Sequence, residues 1–174
     1  IVCRGLGWET GSIPVKKMKE IKNYITHKQW NRIYDTFLDN NFPWFYEPTQ
    51  TNRDTSYMMH CFYRDGKINS DFYYLIQPIL DKLKPTKILN IRANLALKRP
   101  MTSDWHVDDW DKRLIHKTAI YYVNSCNGYT VFTKKRVKSV GNKIIIFDAR
   151  TLHKVEYQTD TDTRMVINFN YETD

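Results

Sequence analysis

A histidine and an aspartate stand two residues apart in segment 102–110, as His106-Val107-Asp108. On a β-strand, side chains at positions i and i+2 point to the same side, so the imidazole and the carboxylate would face one point. A further ligand would complete the two-histidine, one-carboxylate set that binds non-haem Fe(II) and leaves coordination positions open. Because a His-x-Asp pair is expected by chance in roughly one chain in ten of this size, its partners must carry the interpretation.

His153 is the best candidate for the third ligand, because it is predicted to begin a strand directly after the turn-like residues 148–150. In a jelly roll the second and seventh strands can lie side by side, so a long separation in sequence need not be one in space. Taken alone, His153 is more typical of a surface or strand-end histidine; together with His106 and Asp108, metal geometry favours a ligand. The remaining histidines fit worse. His27 is predicted at a helix start, His60 before the strand-rich region and His116 in a loop.

A second chemical signal is Arg164, which opens the last predicted strand, 163–171. On this strand one alternate set of residues is apolar, and the other contains Arg164, Asn168 and Asn170. An arginine inside a barrel needs an anion, because an unpaired buried guanidinium is costly, and its planar fork matches a carboxylate at two points. The alternative is a surface arginine on an edge strand.

Two helices are predicted in the first half of the chain. Thr26 and Gln29 have the spacing of a capping box, and apolar residues at helical spacing follow until about residue 40. Ser70 could cap a second helix that runs to about residue 83, in which Pro78 would introduce a kink or a restart. Segment 15–25 is ambiguous between strand and helix.

From residue 87 onward the period of the pattern changes to two. Apolar and polar residues alternate over 87–98, as in a half-buried strand. Further strands are predicted at 104–108, 117–125, 129–133, 137–140, 143–147, 153–158 and 163–171. Two helices followed by about eight short strands indicate an α+β, mainly β protein with a jelly-roll or barrel core. We expect a single domain over 1–174, with a helical N-terminal part at about 15–85 and a β core at about 87–172.

The composition is that of a globular protein, with 174 residues, 41% hydrophobic content and 14% aromatic content. The sequence has no run of about 18 apolar residues, so no membrane span is predicted. Residues 1–14 lack the basic-then-apolar pattern of a secretion signal. Three scattered cysteines, Cys3, Cys61 and Cys126, predict free thiols in a reducing compartment, so we expect a cytoplasmic protein.

The formal net charge is +8, with clusters of lysine and arginine near residues 98–99, 112–113 and 134–138. These clusters could form an ordinary solvated surface, or they could attract an acidic partner or nucleic acid. One functional hypothesis is therefore a non-catalytic basic β-barrel module that binds an acidic ligand or nucleic acid without a metal. Another is a cupin-like metal enzyme, in which Arg164 would have no ligand to bind.

Several motifs between residues 88 and 171 together resemble one family: His106-Val-Asp108, Thr118-Ala-Ile-Tyr-Tyr-Val-Asn124, Gly128-Tyr-Thr-Val-Phe132, His153 and Arg164. The set resembles the Fe(II)/2-oxoglutarate-dependent dioxygenases, most closely the prolyl-4-hydroxylase-like branch and related small phage or bacterial oxygenases. This resemblance implies a double-stranded β-helix, or jelly roll, with the N-terminal helices packed on its larger sheet. It also implies that the first, third and eighth strands of this core are neighbours.

The resemblance also assigns roles to residues. His106, Asp108 and His153 would bind Fe(II), and Arg164 would pair with the far carboxylate of 2-oxoglutarate. Tyr122 would donate a hydrogen bond to the same carboxylate, although it could instead be an ordinary core tyrosine. Two weaker candidates for the cosubstrate pocket are Asn94 and Asn168.

The implied activity is hydroxylation of a C–H bond of a prolyl or other peptide or protein side chain, with release of succinate and CO2. O2 is the oxidant, and ascorbate is a candidate reductant. Halogenating relatives replace the carboxylate ligand, so Asp108 favours hydroxylation. A small-molecule substrate is a second candidate and nucleic acid a weaker one. The first core strand carries Asn94 where prolyl hydroxylases of the family often have a tyrosine, and this departure leaves the substrate open.

The loop over 98–116 is expected to border the substrate entrance, because loops next to a site often order on binding. Trp105 and Trp110 flank the His-x-Asp motif in this loop. Both tryptophans could instead be packing residues.

Overall fold

The computed structural model describes residues 18–48, 55–108 and 116–173. No helix among these residues is long and apolar enough to cross a membrane. Cys61 and Cys126 are free thiols, as predicted, and Cys3 lies outside the described residues. In chain order the elements are β1 (Lys19–Ile21), α1 (His27–Leu38), β2 (Phe45–Glu47), β3 (Tyr57–Arg64), β4 (Lys67–Ile68), a 3₁₀ helix (Asp71–Leu75), α2 (Gln77–Leu83), β5 (Lys87–Leu97), β6 (Lys117–Tyr122), β7 (Tyr129–Phe132), β8 (Lys135–Lys138), β9 (Lys143–Asp148), β10 (His153–Glu156) and β11 (Thr163–Glu172).

Helix α1 begins with the predicted capping box. The hydroxyl of Thr26 accepts a hydrogen bond from the backbone N–H of Gln29 at 3.3 Å, and the Gln29 side chain accepts one from the Thr26 N–H at 3.0 Å. These two bonds satisfy donors that a helix start otherwise leaves free. Ile33 and Phe37 lie on the buried face of the helix, as the apolar spacing predicts.

The second helical region is divided, as Pro78 suggests. Ser70 caps the 3₁₀ helix by accepting a hydrogen bond from the N–H of Phe72 at 3.0 Å. Helix α2 starts afresh at Gln77 with Pro78 in its first turn, where a missing N–H costs nothing. It ends at Lys84, whose φ of 48° is left-handed.

The strands form two sheets, and the fold is mainly β, with few helices and a jelly-roll-like arrangement. The large sheet has the order β1-β9-β6-β11-β5-β3-β2, with β4 paired to β3, and the small sheet has the order β10-β7-β8. Every pairing in both sheets is antiparallel among the described residues. Strands β5, β11 and β6 are adjacent, which is the neighbour relation that the resemblance implies for the first, eighth and third core strands.

The central strands of the large sheet have two buried faces. Ile91, Ala93, Met165 and Ile167 belong to one core cluster, together with residues from both helical regions. The alternate residues on the same strands face the small sheet, where a second apolar cluster joins β6, β11 and β9 to β7 and β8. Polar residues share this inner face, and they build the site.

Segment 104–108 is not a regular strand, and this prediction is wrong. The segment is held against β10 by two isolated bridges, Thr102 to Glu156 and His106 to His153. The two bridges are four residues apart along 102–106 but only three residues apart along 153–156. A continuous ladder therefore cannot form, and the chain bulges. The Ser103 hydroxyl accepts a hydrogen bond from the Val155 N–H at 2.9 Å within this irregularity.

The N-terminal part is less helical than predicted, because β1, β2, β3 and β4 all lie within 15–85. The interpretation of His60 as a residue before the strand-rich region is therefore wrong, since His60 lies on β3. Strand β3 reads as a nearly continuous apolar and aromatic run, because both of its faces pack, and it shows no clean alternation to detect.

Candidate metal centre and adjoining cavity

The structure brings the three predicted ligands together. Nε2 of His106 lies 4.0 Å from Oδ1 of Asp108, and Nε2 of His153 lies 3.9 Å from the same oxygen. One ligand atom from each residue lies within 4.8 Å of the other two. His106 and Asp108 reach this point from the irregular segment before residue 109, and His153 reaches it from the start of β10.

Both imidazole rings are oriented through their second nitrogen. Nδ1 of His106 lies 3.1 Å from the carbonyl oxygen of Asp104, and Nδ1 of His153 lies 2.9 Å from that of Thr151. A carbonyl only accepts, so each Nδ1 carries the proton and each Nε2 presents its lone pair toward Asp108. This is the arrangement that commonly fixes metal-binding histidines.

Asp108 is oriented from its other side. Its Oδ2 accepts a hydrogen bond from the Thr118 hydroxyl at 3.0 Å, and that hydroxyl accepts one from Nδ2 of Asn170 at 3.0 Å. These bonds leave Oδ1 facing the two imidazoles. No role for Thr118 or Asn170 follows from the sequence motifs, although Asn170 lies on the polar face predicted for β11.

Burial and the neighbouring His153 lower the pKa of His106, against a smaller opposing effect of Asp108. His106 is therefore neutral at neutral pH, which is the form that binds a metal. Two imidazoles and one carboxylate are the donor set expected for a non-haem Fe(II) ion, and the residues present fit that ion.

Arg164 is 4% exposed and points into the space between the sheets. Its Nε donates to the Ser139 hydroxyl at 2.8 Å, and one terminal nitrogen donates to the Thr130 hydroxyl at 3.2 Å. These partners in the described chain are neutral hydroxyls, so they orient the guanidinium without balancing its charge. A buried guanidinium whose charge is not balanced is suited to binding an anionic ligand.

A narrow cavity connects Arg164 with the two histidine ligands. Both sheets contribute to its wall, which consists of Tyr57, Asn94, Ala96, His106, Ile120, Thr130, His153, Val155, Tyr157, Arg164, Val166 and Asn168. Asn94 and Asn168, the two weaker candidates for the cosubstrate pocket, both line this cavity. Three wall atoms are buried and have no hydrogen-bond partner among the described residues: Oδ1 of Asn94, Oδ1 of Asn168 and the hydroxyl of Tyr157.

Tyr122 lies beside this cavity rather than in its wall. It faces Val166 across β6 and β11, as Asn94 does across β5, but its hydroxyl donates to Thr130 at 2.8 Å. Burial raises its pKa to about 12, so the hydroxyl stays protonated. Thr130 thus receives hydrogen bonds from both Tyr122 and Arg164, and Tyr122 contacts the cavity through Thr130.

The sequence interpretation missed two tyrosines of the cavity wall, Tyr57 and Tyr157. The hydroxyl of Tyr157 is buried and has no hydrogen-bond partner among the described residues. The sequence could have indicated Tyr157, because His153, Val155 and Tyr157 are alternate residues of one extended segment and so point to the same side. All three belong to the cavity wall. Burial raises the pKa of Tyr157.

Trp105 is 43% exposed next to His106, and the Lys154 ammonium lies 4.9 Å from the centre of its ring. This exposure is unlike that of a packing residue. Trp110 and the adjacent acidic residues lie outside the described part of the chain.

A scan of protein-family models finds no match to this chain, and a search of curated proteins finds no match either. Solved structures do match. The epimerase SnoN from nogalamycin biosynthesis, described as non-haem and α-ketoglutarate-dependent, superposes with a TM-score of 0.69 at 10% identity, over 89% of this chain and 76% of SnoN. A Trichoplax adhaerens prolyl hydroxylase in complex with a hypoxia inducible factor peptide gives 0.65 at 12% identity, over 89% and 83% of the two chains.

A viral collagen prolyl hydroxylase from Paramecium bursaria Chlorella virus 1 covers nearly all of both chains, 98% of this one and 100% of the other, with a TM-score of 0.56 at 15% identity. The chain has the fold of the 2-oxoglutarate- and Fe(II)-dependent oxygenases. SnoN has also been solved with Fe3+ and α-ketoglutarate bound. A protein of this fold can therefore hold both a metal and a keto-diacid.

Proposed function

We propose that this protein is an Fe(II)- and 2-oxoglutarate-dependent dioxygenase that hydroxylates a C–H bond and releases succinate and CO2. One observation carries the proposal: a single cavity joins the His106–Asp108–His153 group to a buried arginine that has no carboxylate partner in the described chain. A metal alone would need only the first of these features. A keto-diacid that binds the metal at one end needs a cation at the other.

The residues would divide the work as follows. His106, Asp108 and His153 would hold Fe(II), and Arg164 would pair with the far carboxylate of 2-oxoglutarate. Thr130 and Tyr157 offer hydroxyls to that cosubstrate, with Tyr122 supporting Thr130, and Asn94 and Asn168 complete the polar wall. Fe(II), 2-oxoglutarate and O2 would supply the oxidising chemistry, and ascorbate would keep the iron reduced.

For the core we propose the double-stranded β-helix of this fold, within one domain over 1–174. Apolar side chains keep water out of the cavity from both sheets, through Ile120, Val155 and Val166. Excluding water strengthens the interaction of Arg164 with an anion. The free thiols Cys61 and Cys126 fit a reducing compartment, and we propose the cytoplasm.

For the substrate we propose a prolyl or other peptide or protein side chain. Exposed apolar residues border the metal ligands: Trp105 and Val107 on either side of His106, each 43% exposed, and Leu152 beside His153, 42% exposed. An apolar rim of this kind suits a peptide side chain. Two of the three similar structures described above are prolyl hydroxylases, one of them with a peptide bound.

The proposal is tested by succinate release from purified protein supplied with Fe(II), 2-oxoglutarate, ascorbate and O2. We expect slow turnover without substrate and faster turnover when a substrate is present. His106→Ala should reduce turnover to background, whereas His27→Ala, at an exposed histidine on α1, should leave it unchanged. Equal turnover in wild type and His106→Ala would contradict the proposal. Salt-sensitive binding of nucleic acid that needs no metal would instead support the non-catalytic module.

A further inference from the structure

A second group of polar residues lies beside the metal centre, and it shares only Asn168 with the wall of the proposed 2-oxoglutarate cavity. Strand β5 carries Asn90 and Arg92 on the face that also carries Asn94, opposite the face whose Ile91 and Ala93 pack on the helices. In the register of the sheet, Arg92 is directly opposite Asn168 on β11, and Asn90 is opposite Asn170. We call Asn90, Arg92 and Asn168 the Arg92 cluster.

The Arg92 cluster faces the metal ligands. Asn170, across from Asn90, holds Thr118 and through it Asp108. Burial raises the pKa of Tyr57, a residue of the cavity wall on β3, and the nearby Arg92 charge opposes this rise. The register places the cluster beside the support of Asp108, and the Arg92 charge also reaches the β3 side of the cavity.

The two arginines of the inner face leave the sheet at backbone positions that are well separated. Arg164 is opposite Ala96, whereas Arg92 is opposite Asn168, four residues further along β11. Four residues of a strand span about 13 Å. A 2-oxoglutarate that reaches from Arg164 to the metal leaves Arg92 for a different molecule.

Each member of the cluster has a buried atom without a hydrogen-bond partner among the described residues: Oδ1 of Asn90, Nε of Arg92 and Oδ1 of Asn168. Unmade hydrogen bonds at buried atoms are costly, so three in one cluster indicate a missing ligand. Arginine donates to a carboxylate in bidentate geometry, and amide oxygens accept from N–H groups. The complementary molecule offers a carboxylate and N–H donors close together.

We propose that the Arg92 cluster binds the prime substrate through a free α-carboxylate and a neighbouring N–H group, so that the substrate is an α-amino acid, either free or as the C-terminal residue of a peptide. This inference rests on the proposed oxygenase function and narrows its substrate class. Arg92 takes the carboxylate, and the amide oxygens of Asn90 and Asn168 take the N–H group. The overall charge of +8 favours the approach of such an anion.

The test measures binding rather than turnover. Free α-amino acids, their α-carboxamides, and short peptides ending in a carboxylate or in an amide are titrated calorimetrically into protein loaded with Mn2+ and 2-oxoglutarate, and separately into metal-free protein. We expect at least one free acid to bind roughly tenfold or more tightly than its amide, as loss of a charge-assisted pair implies. Preference among free amino acids or only among peptides identifies the source of the carboxylate.

Arg92→Met should bring the acid and the amide to within about twofold of each other, since the neutral side chain cannot pair with a carboxylate. Arg32→Met, at an exposed arginine on α1 that lies over Tyr74, is the matched control and should keep the preference. Asn90→Asp is a second variant, in case Arg92→Met fails to fold. It places a carboxylate two residues from Arg92 on the same face and should weaken binding of the acid.

Three results would overturn the assignment: no binding of any free acid, equal binding of acids and amides by wild type, or a preference that survives both Arg92→Met and Asn90→Asp. Failure of the proposed oxygenase function is a separate result. It would appear as no 2-oxoglutarate turnover and no 2-oxoglutarate binding, while the preference for acids in metal-free protein would remain measurable.

Discussion

Strands β5, β6 and β11 present two faces that differ in a consistent way. The face toward the helices is apolar, and its Ile91, Ala93 and Ile167 are fully buried. The face toward the small sheet carries Thr118 and Asn170, which orient Asp108, and two arginines. It also carries several buried polar atoms that have no hydrogen-bond partner in the described part of the chain. Apolar burial gains free energy, whereas unpaired buried polar atoms lose it. The outer face thus stabilises the fold, and the inner face retains a cost that bound molecules can remove.

The largest expected effect comes from removing a ligand on the inner face. His153→Ala should reduce 2-oxoglutarate turnover to background, because two ligands hold a divalent ion poorly. Some stability should also be lost, since His153 is 3% exposed and its ring packs against Phe132 and Phe147, so turnover is compared per folded molecule. Succinate release and thermal unfolding of the same sample check this prediction. A variant that keeps turnover would show that His153 is not a ligand.

On the outer face, Ile167→Ala should lower the stability of the fold rather than the turnover. Ile167 is 0% exposed within the helix-side cluster, so its truncation leaves a cavity and should cost about 2–5 kcal/mol of unfolding free energy. Turnover per folded molecule should stay near wild type. Urea unfolding measures the cost, and Leu38→Ala, at a side chain 52% exposed, is the control with little expected change. A loss of turnover without a loss of stability would contradict the division between the faces.

Much of this division could be predicted from the sequence. The alternation in 87–98 and 163–171 separates the two faces, because one side of each strand meets apolar helices and the other meets polar groups. The capping box at Thr26 and the restart at Pro78 are local chemistry, which a sequence shows directly.

What could not be predicted depends on contacts between distant segments. Strand β3 packs on both faces and so lacks a period-two pattern. The segment before Asp108 bulges because of its partner β10. The cavity wall contains Tyr57 and Tyr157 rather than Tyr122, because the Tyr122 hydroxyl donates to Thr130 on the neighbouring small sheet. A motif specifies residue types, but it does not specify which hydroxyl is already bonded.

A smaller effect is expected from the support of Asp108. Thr118→Val removes the hydrogen bond to Oδ2 while keeping the shape of the side chain. Loss of such an outer support typically weakens metal binding about 10- to 100-fold. Competition with a metal chelator measures the change, and Thr36→Val, on α1, is the control. Unchanged metal affinity would mean that Thr118 does not orient the ligand.

The smallest effect concerns a carboxylate that already has its partner. Arg150 donates to Asp148 at 3.0 and 3.1 Å and is the first cause that lowers the pKa of Asp148 to about 2. Because the folded pKa lies below the unfolded value of about 3.9, this pair stabilises the protein above pH 4. Its contribution is lost as the pH falls from about 4 to about 2.

The stability of wild type relative to Asp148→Asn should therefore be greatest at neutral pH and should shrink over this window. Urea unfolding at a series of pH values checks the prediction. A difference that stays constant from pH 7 to pH 2 would show that the Asp148–Arg150 pair contributes nothing that depends on ionisation.

The most direct test of the inner face as a cosubstrate site is anaerobic calorimetric titration of 2-oxoglutarate into protein loaded with Fe(II). We predict binding of one molecule per chain that requires the metal, is lost in Arg164→Met and is kept in Arg32→Met. Absence of binding in wild type, or equal binding in Arg164→Met, would contradict the account.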